Sequence, residues 1–162
     1  KTGKDSVFKE KDITTKDENG VEKTTKGYDT DAIYKAVSAF ADDYNSVLSA
    51  AAKSKNSSVV STASNMVQQT VANEKMLSRI GITIGEDNKL SVDEKKLKAA
   101  DMTTVKSMMN GNGSFAYGVQ TKASFISMYA KNDQNKASGV YGSSATYTAS
   151  LFSNGDIWNS FI

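Results

Sequence analysis

The stretch "GITIGEDNKLSVDEKKLKAA", residues 81–100, decides how the chain is read. Ile82 and Ile84 flank polar Thr83, the two-residue period of a half-buried strand. Gly85, Glu86, Asp87 and Asn88 form a cluster of turn residues. Leu90 and Val92 then alternate with Ser91 on the return. A miniature β-hairpin is the expectation. Gly81 is a natural stop for a helix arriving from the N-terminal side. Ser91-x-x-Glu94 has the spacing of a capping box, and Asp93 is itself a good N-cap, so a new helix starts where the hairpin ends.

On both sides of this stretch the chain has helical spacing. Asp29, Thr30 and Asp31 are N-cap candidates for a first helix within residues 28–53. Ile33, Val37, Phe40, Tyr44, Val47 and Ala51 recur at spacings of four, three, four, three and four, a heptad seam. This seam is either the core of a helical hairpin or an assembly surface. "SKNSS" at 54–58 interrupts it, and one continuous second helix is expected from about Val59 to Arg79. Its stripe consists of Val59, Ala63, Met66, Leu77 and Ile80, widened by Val60, Val67 and Val71. The short connection implies an antiparallel pair. A third helix is expected over 94–109, with Leu97, Met102, Val105, Met108 and Met109 available for burial. "NGNG" at 110–113 ends it. A fourth follows over 114–131, with Phe115, Val119, Ala123, Ile126 and Tyr129 or Ala130 at helical spacing. The fold class is therefore mainly α: an elongated antiparallel helical bundle of about four helices with one or two small β-hairpins.

Three regions follow: a polar arm or weak hairpin over 1–27, the helical domain over 28–131, and a tail over 132–162. In the first, "DENG" at 17–20 lies between "DITTK" and "VEKTT", so a polar hairpin and a disordered arm are both open. The tail is rich in Gly and Ser, nearly uncharged, and carries Tyr141, Tyr147, Phe152, Trp158 and Phe161. Its closing "SLFSNGDIWNSFI" has the composition of an adhesive segment, docking either on a partner or on the chain's own helices.

Composition removes whole classes of chemistry. The chain has 162 residues and neither Cys, His nor Pro. That excludes thiolate and imidazole nucleophiles, thiolate zinc sites and histidine bases. The lack of Pro favours uninterrupted helices. There are 20 basic and 18 acidic residues, a net charge of +2, and every basic residue but Arg79 is Lys. Signs alternate, as in "KEKD" and "DEKKLK", which is the pattern of a solvated surface rather than of nucleic-acid binding. No apolar run approaches the roughly 20 residues that span a bilayer, and no signal-peptide pattern is present. The chain begins at Lys1 rather than Met, which reads as a piece of something longer.

Other groupings have simpler explanations. Asp42 and Asp43 are adjacent, so on a helix they diverge instead of forming an acid/base or metal site. "GEDNKLSVDE" lacks the ligand order of a calcium loop. "GNGSFAYG" lacks the Lys and Ser/Thr ending of a phosphate loop. The methionines at 66, 76, 102, 108, 109 and 128 read as adaptable core. No catalytic residue, cofactor, metal or small-molecule substrate is expected.

The order of parts carries a resemblance. Phe40, Tyr44 and Asn45 lie in the first helix. Then come Leu77, Ile80, Gly81 and Ile82; Leu90, Ser91, Asp93 and Leu97; and Val105, Met108, Met109 and Gly111. Over about residues 33–130 this resembles the C-terminal domain of flagellar hook-associated protein 2, the filament-capping family, with Met108–Met109 in place of that family's Leu-Phe. The resemblance implies that the miniature hairpin reverses the chain between helix pairs and covers one end of the helical core. It also implies a non-enzymatic assembly module of an extracellular appendage, a bacterial flagellum or cell surface, self-associating or contacting flagellin-like axial proteins. Phe40, Tyr44, Tyr147, Phe152, Trp158 and Phe161 are the expected anchors, since aromatic side chains dominate interfaces. The alternative is a secreted or surface-displayed adhesion module, binding glycan or protein through the same aromatics.

Overall fold

The computed structural model describes residues 7–137. Two antiparallel strands come first, β1 (Lys11–Lys16) and β2 (Glu22–Gly27), paired from Lys11 opposite Gly27 to Lys16 opposite Glu22. The polar-hairpin reading of the arm is thus the one realised. Its turn is closed by Asp17, whose carboxylate accepts from the Asn19 and Val21 amides at 2.9 Å each, and by Gly20 at φ +76°. Both strands lie in solvent. They are anchored at their base, where Phe8 is buried and Tyr28 packs against the core. Lys16–Glu22 (3.3 Å) and the Thr14–Thr24 hydroxyl pair (3.1 Å) tie them together, and Lys11 pairs with Asp29 (3.1 Å) just beyond β2.

Helix α1 (Thr30–Ala52) starts at Asp29, whose carboxylate accepts from the Ala32 amide. All six residues of its heptad seam are buried. After a short link α2 (Ser57–Ala72) turns back against α1, capped by the Asn56 side chain. The expected continuous second helix is broken at Asn73, and α3 (Glu74–Arg79) follows. The cause is local competition. The Asn73 side chain donates to the Gln69 carbonyl at 2.8 Å, the acceptor that its own main-chain amide would use in an α-helix. That amide bonds the Thr70 carbonyl instead, three residues back. The expected stripe was also too wide: Val60 and Val71 are exposed, and Met66 and Thr70 mark its true centre.

Next comes the miniature hairpin, β3 (Ile82–Ile84) and β4 (Leu90–Val92), with Ile84 opposite Leu90 and Ile82 opposite Val92. Ile82 and Leu90 are fully buried, worth about 1.5–3 kcal/mol each. Ile84 and Val92 are half-buried against the same core. The hairpin's other face pairs the Thr83 and Ser91 hydroxyls at 2.7 Å. Ser91 is therefore a strand residue, and the helix start is capped by Asp93 alone, accepting from the Lys96 amide.

The expected third helix is two: α4 (Glu94–Ala99) and α5 (Met102–Met109). Asp101 divides them. Its carboxylate accepts from the amides of Thr103 and Thr104 and from the Thr104 hydroxyl, and this capping needs an extended residue at Ala100, where ψ is 156°. Finally α6 (Phe115–Ala137) begins at Ser114, whose hydroxyl accepts from the Tyr117 amide. It runs antiparallel along α2, with Gln69 beside Lys122 and Asn56 beside Asp133. The described chain is thus mainly α, with six helices and two small hairpins, where about four helices were expected.

Candidate interaction surface

Phe40 and Tyr44, the anchors expected on α1, are 0% and 1% exposed. They belong to the chain's own core. Phe40 meets the edge of Phe115 with ring centroids 5.9 Å apart and planes at 68°, a favourable aromatic geometry. The Tyr44 hydroxyl is buried without a hydrogen-bond partner. Burial pushes its phenol above the ordinary value. Thr70 is already committed to the Met66 carbonyl at 2.8 Å. Tyr147, Phe152, Trp158 and Phe161 lie outside the described residues.

Asn45, one residue on, performs a structural task that its sequence position did not disclose. Its amide nitrogen donates to the Leu90 carbonyl at 2.8 Å, and its oxygen accepts from the Leu90 amide at 2.7 Å. One side chain thus imitates a neighbouring strand and fastens β4 to α1. Gly81 supplies the second fastening. It has φ +83°, and a Cβ there would sit 2.8 Å from the Leu97 amide nitrogen. Its carbonyl accepts from the Asp93 amide at 2.8 Å.

The acidic pair does not form a site. Partial burial, with the neighbouring Asp42 charge second, raises the Asp43 carboxyl. Among the described residues no three His, Cys, Asp or Glu side chains gather as a metal site would require. The densest charge cluster is structural: Lys98 bridges Asp31 (2.5 Å) and Glu94 (2.6 Å) and lies 5.6 Å from the Tyr34 ring centroid. It ties α4 to the first turn of α1. No helix among the described residues is long and apolar enough to cross a membrane.

What the sequence reading missed is the outer face of α6. Its inner face is the expected stripe: Phe115, Val119, Ala123 and Ile126 are all buried. On the opposite side Tyr117 is 43% exposed, Phe125 46% and Met128 44%. Eleven residues are three turns, so Tyr117 and Met128 lie almost on one line, with Phe125 to one side. Phe125 stacks on Tyr129, with centroids 6.4 Å apart. The polar members of the face are muted. The Thr121 hydroxyl donates back to the Tyr117 carbonyl (2.9 Å), and the Ser124 hydroxyl to the Gln120 carbonyl (3.0 Å). No charged residue falls on this line between Tyr117 and Met128, because Lys122 is turned aside to Gln69 at 2.6 Å. A second wheel reading of the same helix, for the residues off the core stripe, would have found it.

Comparison of the chain with protein-family models, with curated proteins and with solved structures finds no match in any of the three.

Proposed function

We propose that this chain is a non-enzymatic assembly module of an extracellular appendage, of the kind found in the filament-capping family, and that it acts through helix–helix and aromatic contacts. The uncharged aromatic and Met face of α6 carries the reading: solvent-exposed side chains of this type, aligned over three turns, are suited to burial against another apolar surface. The partners are further copies of the chain or flagellin-like axial proteins. The α1 seam is occupied by the chain's own core, so contact falls to α6 and to the aromatic residues of the tail.

Light scattering over a concentration series tests this on the wild type and on Phe125→Ser/Met128→Ser. Both substituted positions are half-exposed, so the fold should tolerate them. The wild type should gain mass with concentration while the double variant stays monomeric. A wild type that remains a monomer up to about millimolar concentration, alone and with axial proteins, would refute assembly. Glycan binding lost on Trp158→Ala would favour the adhesion alternative.

A further inference from the structure

We propose that the outer face of α6 is covered, in the isolated monomer, by the C-terminal segment of the same chain, residues 151–162, with Trp158 and its neighbours seated against Tyr117, Phe125 and Met128. Chemistry matches on both sides. The face has no charged member from Tyr117 to Met128, with Lys131 one turn beyond, and Asp156 is the one charged side chain in residues 138–162. Phe152, Ile157, Trp158 and Phe161 supply the apolar surface that such a face accepts.

The length of the connection selects the chain's own segment over a second copy. Residues 138–150 are Gly, Ser, Thr and Ala apart from Val140, Tyr141 and Tyr147. Thirteen residues reach at most about 45 Å, at ~3.3–3.6 Å per residue. From Ala137, where α6 ends, back to Met128 is about 14 Å, and to Tyr117 about 30 Å, at ~1.5 Å per residue. A connection long enough for the span holds its cargo at an effective concentration of about the millimolar range. Below that protein concentration, closure within one chain outcompetes binding between chains. Above it, as in a packed appendage, the same contact can be exchanged between neighbours, as in domain swapping. The inference deepens the assembly reading by naming what occupies the face before a partner does, and it stands or falls separately.

Trp158 is the chain's only tryptophan, so its emission reports on this segment alone. The full-length protein is studied at concentrations where light scattering gives a monomer. Emission should lie to the blue of the same chain in denaturant, be shielded from a soluble quencher, and not change on tenfold dilution. Phe125→Ser/Met128→Ser should move it to the red and raise quenching several-fold, with the helical circular dichroism retained. An independent reading uses the absence of Cys: Met128→Cys/Phe161→Cys should oxidise to an intramolecular disulfide in dilute solution. Emission like that of the denatured chain, or blue emission indifferent to the α6 substitutions, would overturn the proposal. So would a red shift on dilution, which would assign the contact to a second copy. A protein that never assembles but has a shielded Trp158 sinks the assembly reading and leaves this one intact.

Discussion

Asn45 and Tyr44 are neighbours in sequence with opposite polar outcomes. Asn45 has both ends of its amide satisfied by Leu90. Asn45→Ala removes two hydrogen bonds and strands a half-buried main-chain amide and carbonyl, so urea denaturation should show a loss of about 2–3 kcal/mol. Tyr44 instead buries a hydroxyl without a partner. Since a buried polar group without a bond carries an uncompensated desolvation cost, Tyr44→Phe should leave the unfolding free energy in urea unchanged or raise it, by up to about 1 kcal/mol. A clear drop would mean that the hydroxyl is bonded in solution. Asp101 links a residue to pH. The hydroxyl and amide of Thr104 hold its carboxyl below the ordinary 3.8. A carboxyl depressed in the folded state contributes stability at pH above 3.8, and that contribution is lost as pH falls through the folded value. Asn is also a strong N-cap. Asp101→Asn should therefore keep the helix at neutral pH and flatten the acid limb of a circular-dichroism titration below about pH 4.

At the scale of elements, the miniature hairpin works because three independent features hold it: buried Ile82 and Leu90, the Asn45 clamp, and Gly81 against α4. Two glycines separate backbone strain from packing. Gly20 at φ +76° has open space around its would-be Cβ, whereas Gly81 at φ +83° does not. Gly20→Ala should cost only the left-handed backbone term, about 1–2 kcal/mol. Gly81→Ala should cost distinctly more in thermal unfolding. Equal losses would show that the approach of Gly81 to Leu97 is not a tight contact. The two helix breaks have equally local causes: side chains at Asn73 and Asp101 take hydrogen bonds that a continuous helix needs.

In the molecule as a whole, stability is concentrated where α1, α2, α6 and the β3–β4 hairpin meet, and it is thin in β1–β2. A two-stranded ribbon exposed on both faces is marginal by itself. Hydrogen exchange should therefore run fastest in the amides of 11–27 and slowest around Val37, Phe40 and Tyr44. Protection of β1–β2 equal to that of α1 would mean that another surface covers the ribbon. Val60, Val71 and Met76 on α2 and α3 are exposed singly, whereas the outer face of α6 groups Tyr117, Phe125 and Met128 on one helix, and both assembly and tail docking fall there.

Local spacing was enough for the α1 seam, most of the caps and the turn of the miniature hairpin, because these depend on residues one to four positions apart: Asp29 before α1, Gly81 after α3, Gly85 to Asn88 between β3 and β4; the turn at Asp17 and Gly20 stayed open between a hairpin and a disordered arm. The sequence also contained the Asp101 cap and the Asn73 competition, in signals overshadowed by a continuing apolar stripe. Packing across the molecule set the rest: Phe40 and Tyr44 face inward, Asn45 clamps Leu90 across 45 positions, and Tyr117, Phe125 and Met128 are not covered by the other described elements. A heptad seam records that a face is apolar and is silent about what buries it. That choice rests on which other elements compete for the same surface, and the competition is settled only when all of them are packed together.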